Sequence, residues 1–415
     1  MFMTAAERES PPSPHRPADA RSPFARLNDL LADVAPGMPP ISLAVGEPQH
    51  PVPDFVAPVL AAHIGEFGRY PLNKGSQPFL QAAADWLSRR FALPRPLDPD
   101  TEVLVLNGSR EGLFLAALAA MPHIAERHAA NPSAIGRGGR PAMLMPNPFY
   151  AAYAAGAVAA QCETVLLPTT GATNFLPDLD ALGDDLLART VAFYLASPAN
   201  PQGAVADRPY LDRLVALSRR FGFLVFSDEC YSEIYSKDPP ASMLEAAGPD
   251  YANVVVFQSL SKRSNLPGLR VGFAAGERGF LRRFLELRNV AAPQVPLPAQ
   301  RVAIAALGDE AHVQANRRLY AQKFDLADQI IGDRYGYRRP AGGFFLWLNV
   351  SAYGGDEAVT LRLWRDAGVR VVPGSYLARA QADGSNPGEG FIRVAMVQDQ
   401  ETTAEALHRL VAVLG

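Results

Sequence analysis

Lysine is scarce in this chain. Among its 39 Lys and Arg residues only Lys74, Lys237, Lys262 and Lys323 are lysines, so arginine carries positive charge nearly everywhere. Cysteine is scarcer still. Cys162 and Cys230 cannot build a disulfide framework, and a reducing, cytoplasmic compartment is expected. No apolar run reaches the roughly 18 residues of a membrane-spanning helix, and the N-terminus lacks the basic-then-apolar order of a signal peptide. Charge of one sign is not in excess either. A net charge of −3 and a pI near 6.2 argue against nucleic acid or an anionic membrane as partner. No G-x-G-x-x-G follows the first predicted strand, which counts against a nicotinamide-dependent dehydrogenase. No metal site is expected.

What is present is a large apolar content. The chain has 415 residues, 48% of them hydrophobic, enough for more than one core. Residues 1–23, polar and Pro-rich, read as a flexible N-terminal arm. "FARLNDLLADV" then has helical spacing, and "PGMPPISLAVGEPQHPVP" is extended and punctuated by proline and glycine. A long middle section alternates apolar strands ("EVLVLNGS", "TVAFYLASPANPQG", "FLVFSDECY", "NVVVFQSLSK") with helices ("REGLFLAALAAM", "YAAYAAGAVAA", "PYLDRLVALSRRFG"). Such alternation predicts βαβ units and a mainly parallel sheet covered on both faces. From about Pro298 the texture changes. "AQRVAIAALG" and "ANRRLYAQKFDLADQIIGD" read as helices, "GGFFLWLNV" and "EGFIRVAMV" as strands of a smaller α+β domain. The expected division is a large domain over 59–297 and a discontinuous small domain from 24–58 and 298–415. "AIGRGGRPA" reads as a surface loop.

In an open α/β sheet, ligands bind beyond the carboxyl ends of the strands. Four strand ends here carry unusual polar residues. The first runs into Asn107, Gly108, Ser109 and Arg110 ahead of a helix; its free N–H groups and dipole suit an anion, although an ordinary N-cap has the same look. The second ends in Asn200-Pro201, which could be a simple turn. The third ends on Asp228, with Tyr231 three residues later; a carboxylate at the end of a buried strand needs a partner. The fourth, "QSLSKRSNLPGLRVGF", offers Ser259, Ser261, Lys262 and Arg270. Two hydroxyls and a guanidinium can bind a phosphate. A desolvated lysine beside them has a lowered pKa and is nucleophilic toward an aldehyde. Together the four ends offer what a pyridoxal phosphate site needs.

With these motifs in this order, the sequence resembles a fold-type I, class I/II aminotransferase over nearly its whole length after the arm. The resemblance implies a mainly parallel seven-stranded sheet sandwiched by helices, plus a smaller α+β domain. It implies pyridoxal 5′-phosphate as cofactor, bonded covalently to Lys262, with Ser259, Ser261 and Arg270 at the phosphate beside main-chain contacts from Ser109 and Arg110. Asp228 would pair with the pyridine nitrogen, and Tyr231 and Asn200 with the ring oxygen. "PNPFYAAY" would supply the ring-stacking aromatic, Tyr150, with Phe149 or Tyr153 as alternatives. Gly46 would lie against the substrate, and Arg393 would bind its α-carboxylate. Tyr70 would reach the phosphate of a neighbouring subunit, so the family's homodimer with shared sites is implied. Gly268 would let the backbone turn Arg270 toward the phosphate, and Arg263 has no role in this scheme.

"YPLNKGSQPFLQAAADWLSRRF", "SLSKRSNLPGLR", "GGFFLWL" and "VPGSYLAR" most resemble those family members that act on N-succinyl-LL-diaminopimelate in bacterial lysine biosynthesis. This implies a ping-pong exchange between glutamate and N-succinyl-2-amino-6-oxopimelate, with Lys262 carrying the proton at the substrate Cα. Ser375, Tyr376 and Arg379 are candidates for reading the distal end. Within the same cofactor chemistry, an aspartate or broad-specificity aminotransferase or a carbon–sulfur β-lyase is the alternative. A ligand-sensing regulator on this fold would need an added DNA-binding domain.

Overall fold

A computed structural model describes residues 21–130 and 139–415. Its strands, in chain order, are β1 (Ile41–Ser42), β2 (Val103–Leu106), β3 (Ala142–Asn147), β4 (Glu163–Pro168), β5 (Thr190–Ala196), β6 (Leu224–Asp228), β7 (Val254–Ser259), β8 (Gly272–Gly276), β9 (Phe345–Asn349), β10 (Val369–Arg370), β11 (Val372–Pro373) and β12 (Phe391–Ala395).

Seven strands form one sheet in the order β2-β8-β7-β6-β5-β3-β4. Neighbours are parallel from β7 through to β4, while β8 runs antiparallel to both β2 and β7. The strands are short and apolar on both faces because helices cover both. Alternation divides their side chains. Val103, Val105, Leu144, Phe193, Leu195, Val225, Val254 and Val256 face a core closed by the helices Gln77–Phe91, Arg208–Phe221 and Leu297–Gly308. Leu104, Leu106, Met143, Met145, Tyr194, Phe226, Val255 and Phe257 face a second core, closed by Ser109–Ala130, Ala151–Ala159 and Arg278–Ala291. Each fully buried Leu or Phe among them contributes roughly 1.5–3 kcal/mol.

A third core gathers the antiparallel sheet β11-β12-β9 with the helices Ala311–Ile330, Asp356–Ala367 and Gln400–Leu414. β1 pairs with β10 and ties residues 41–42 to this part of the chain. The helix Pro23–Leu31 joins it through Leu27 and Leu31, which pack near Val372 and Tyr376. Ser22 caps that helix by accepting a hydrogen bond from Ala25 N at 3.1 Å, with Pro23 in the first turn. The last residues of the expected arm therefore open a helix; positions 1–20 of the arm and 131–138, most of the expected Gly/Arg loop, lie outside the described residues. Of the seven strands in the large sheet, β3, β4 and β8 were not picked out in the sequence. β4 is a half-buried edge strand, and β8 is small-residue-rich, "GFAAG". No helix among the described residues is long and apolar enough to cross a membrane.

Candidate active site

A cavity of about 900 Å³ lies beyond the carboxyl ends of the parallel strands, and residues of the smaller sheet close one side of it. Gly46, Ser109, Arg110, Tyr150, Asn200, Asp228, Tyr231, Lys262, Arg270 and Arg393 all line this one cavity, although they are spread from residue 46 to 393.

Lys262 sits in the one-turn helix Leu260–Arg263, directly after β7. Ser259 caps that turn, its hydroxyl accepting from Ser261 N at 3.2 Å. The Lys262 ammonium donates to the Gly46 carbonyl and lies 5.2 Å from the Phe344 ring centroid. Burial pushes its pKa down to about 8. Arg393 and Arg110 act in the same direction, while Cys230 and Glu47 oppose. Gly46 can be nothing larger here, because a Cβ would stand 2.5 Å from the Phe345 ring.

Asp228 ends β6. Its Oδ2 accepts from the Tyr153 hydroxyl at 2.6 Å and its Oδ1 from Cys230 N at 3.2 Å. Burial raises its pKa, and the donors from Cys230 and Tyr153, with the nearby Lys262, oppose that rise. Tyr153 is fully buried and stacked on Tyr194, with centroids 4.7 Å apart and planes 15° apart. Its hydroxyl is engaged by the carboxylate. Phe149, Tyr150 and Tyr153 all line the cavity. The Arg110 guanidinium donates to the Tyr150 hydroxyl.

Arg393, on β12, is 4% exposed. Its guanidinium donates to Asn200 Oδ1 at 3.1 Å and to the Ala44 carbonyl at 2.6 Å, and Phe345 lies beneath it at 4.5 Å. Its Nε is buried without a partner. Burial lowers its pKa to about 10, and Tyr231 opposes. A buried guanidinium bonded to neutral oxygens is a ready anion site.

The turn between β2 and the helix Ser109–Ala130 is packed against Arg270, which donates to the Asn107 carbonyl at 3.1 Å and to Pro267 O at 2.9 Å. Gly108, at φ +80°, lies so close that a Cβ would overlap the Arg270 guanidinium. Guanidinium and helix N-terminus therefore converge on one point, as an anion cradle requires. Arg270 itself takes the left-handed conformation, at φ +56°. This corrects the expectation for Gly268, which is not in the left-handed region and has open space around it.

Other expected residues fall elsewhere. Ser259 and Ser261 are buried with their hydroxyls 3.0 Å apart and do not line the cavity. Tyr70 is 95% exposed and is outside its own chain's cavity. Tyr376 and Arg379 line the cavity, but Ser375 faces a separate surface hollow, its N–H donating to Asp356 Oδ2 at 2.9 Å. Arg263 is structural. It is 3% exposed, donates to Ala306 O and Glu310 Oε1 at 2.6 Å each, and lies over Trp86. Sequence reading passed over Cys230 and the Phe344–Phe345 pair. "GGFFLWL" is an unbroken apolar run, so nothing local marked either ring as facing the site.

Comparison with known proteins agrees with this geometry. A family model described as aminotransferase class I and II matches residues 39–410. An LL-diaminopimelate aminotransferase of Desulforudis audaxviator is 33% identical over 399 residues, 94% of this chain and 95% of that protein. One from Moorella thermoacetica is 31% identical over 398 residues, with the same shares covered. Among solved structures, an aminotransferase from Neisseria meningitidis superposes with a TM-score of 0.87 at 37% identity, covering 95% of this chain and 98% of that one. A probable N-succinyldiaminopimelate aminotransferase from Thermus thermophilus gives 0.81 at 27% identity, covering 95% and 100%.

Proposed function

We propose that this chain, which belongs to the pyridoxal-phosphate-dependent class I and II aminotransferases, exchanges an amino group between glutamate and N-succinyl-2-amino-6-oxopimelate in lysine and diaminopimelate biosynthesis, as a cytoplasmic homodimer. The carrying observation is one cavity that holds a half-buried lysine, a half-buried carboxylate and a buried arginine bonded to neutral oxygens.

These groups suit the cofactor. Arg270 and the first N–H groups of the helix Ser109–Ala130 would take the phosphate, with Tyr70 of a second subunit, while Ser259 and Ser261, set off the cavity, hold the turn that carries Lys262. Tyr150 would stack on the ring, and Asn200 and Tyr231 would bond its oxygen. Asp228, whose oxygens already accept from Tyr153 and Cys230, would hold the proton on the ring nitrogen. Bound there, pyridoxal phosphate supplies an electron sink for charge developing at the substrate Cα and stores the amino group between half-reactions. The protein does the rest. Arg393 clamps the α-carboxylate of donor and acceptor in turn. Lys262, with its neutral form favoured by burial, takes the Cα proton and later returns it.

The substrate's far end is read from the charge of the wall. Apart from the groups assigned above, Arg110 and Arg379 line it, and Glu111 is paired with Arg288. Two such cations favour an anionic distal end, which the succinylated substrate has, over the distal ammonium and carboxylate of free LL-diaminopimelate. The names of the Desulforudis and Moorella relatives favour direct use of LL-diaminopimelate, the second reading. A donor–acceptor screen tests both. Glutamate formation from 2-oxoglutarate should be faster with N-succinyl-LL-diaminopimelate than with the free diamine. Faster turnover of the free diamine selects the second reading, and turnover confined to aspartate or to cysteine conjugates overturns both.

A further inference from the structure

Away from Lys262, the cavity wall contains a strained turn that no motif announced. After β4 the chain passes through the short turn Gly171–Thr173 and then places two consecutive residues, Asn174 (φ +51°) and Phe175 (φ +59°), in the left-handed region. Asparagine tolerates that conformation, but a bulky aromatic is strained by it. The turn is nevertheless well bonded. Phe175 N donates to Thr170 O at 2.8 Å and Leu176 N to Thr173 O at 3.1 Å, and Leu176 packs on the core of the large sheet. The outcome is that the Phe175 ring lines the cavity. Phe24, in the first turn of the helix Pro23–Leu31, lines it from the smaller part of the chain.

Arg379 lines the same cavity and is braced from behind. The fully buried Asn147, at the end of β3, accepts from Arg379 N at 3.0 Å through its amide oxygen. Its amide nitrogen donates to Arg379 O at 2.8 Å. Both backbone groups of this residue are thereby fixed by one side chain, and its guanidinium stands 5.4 Å from the Phe149 ring centroid.

We propose that Phe175 and Phe24 form an apolar sleeve over the middle of an extended substrate, and that Arg379, braced by Asn147, binds that substrate's distal carboxylate. The substrate class follows: an α-amino acid with several methylenes between its reacting carbon and a terminal carboxylate. This deepens the functional reading above and rests on it for the role of Arg393.

The test uses the cofactor-loaded enzyme and calorimetric binding of three unreactive acids: pimelate, heptanoate and propionate. Wild type should bind pimelate more tightly than heptanoate, and heptanoate more tightly than propionate. Arg379→Gln should weaken pimelate at least tenfold and heptanoate less than twofold. Phe175→Gly should weaken pimelate and heptanoate severalfold and leave propionate unchanged. Glycine suits a left-handed φ, so this variant should melt no lower than wild type, whereas a merely structural ring would lower the melting temperature on removal. Equal effects of Arg379→Gln on pimelate and heptanoate, or no effect of Phe175→Gly on either, overturn the proposal. If both discriminations appear while neither diaminopimelate substrate is transaminated, the sleeve stands and the functional reading falls. If a diaminopimelate substrate is transaminated and both discriminations are missing, the sleeve alone falls.

Discussion

At the scale of single residues, the site is a set of charges that burial has moved toward neutrality. Lys262 at about 8 is the clearest case. In the cofactor-free enzyme, only the unprotonated amine can attack an aldehyde. Capture of pyridoxal phosphate should therefore speed up about tenfold per pH unit below 8 and level off above it, as stopped-flow absorbance would record. A rate independent of pH between 6 and 8 would contradict the assignment. Tyr153 has the opposite character: its pKa is raised well above the ordinary value by burial and by Asp228, so it stays a hydrogen-bond donor. Tyr153→Phe should cost about 1.5–3 kcal/mol of stability, measured by denaturant unfolding, and should weaken cofactor binding. Arg393→Lys keeps the charge but loses the planar fork, and should lower kcat/KM for donor and acceptor alike by roughly 10²-fold.

At the scale of elements, the strand ends are held in place by a buried carboxylate that does not line the cavity. Glu229, one residue past β6, accepts from Ser227 Oγ at 3.1 Å, Ser242 Oγ at 2.9 Å, Met243 N at 2.8 Å and Gln258 Nε2 at 3.0 Å. It ties the ends of β6 and β7 to the start of the helix Met243–Ala247. Burial raises its pKa to about 7 against these donors. An acid with a folded pKa above its unfolded one loses stability as pH rises between the two values. Wild type should lose on the order of 3 kcal/mol between pH 4.5 and 7 on this account, and Glu229→Gln should flatten that part of the profile.

Elements were legible in the sequence where one rule governed them. β5, β6 and β7 are unbroken apolar runs that end in polar residues, and the chemistry lies at those ends. Asp228 and Lys262 stood out because a charge there contradicts its strand. Glu229 did not, since a carboxylate beside Asp228 in "SDECY" gives no hint of which one faces the cavity. The pairing of Tyr153 with Asp228, 75 residues apart, has no local trace, and neither has the left-handed turn at Arg270. Ser375 was misread for a simpler reason: the one-turn helix Gly374–Tyr376 turns neighbouring residues in different directions.

At the scale of the whole molecule, Ile64, Phe67, Tyr70, Leu72 and Val290 are large apolar side chains left exposed. Asn73 and Asn289 are hydrogen-bonded at 2.9 Å, which brings Leu72 and Val290 into one neighbourhood. A patch of this kind is expected to be covered by a second copy, placing each Tyr70 at the other subunit's phosphate cradle. Subunit mixing tests this. Lys262→Ala and Tyr70→Ala homodimers should each be impaired. Equal mixing after reversible dissociation should restore about a quarter of wild-type activity, since half the dimers would carry one intact site of two. No recovery would place Tyr70 and Lys262 in the same site of one chain, and an unimpaired Tyr70→Ala homodimer would place Tyr70 in none.

The scarcity of lysine makes the central claim open to a direct measurement. Borohydride reduction of the cofactor-loaded protein fixes pyridoxal phosphate to whichever lysine it occupies, and peptide mass spectrometry locates the added mass. The expected result is a single modified peptide containing Lys262, lost in Lys262→Ala. Modification of Lys74, Lys237 or Lys323 in its place, or of no lysine, would contradict the site described above.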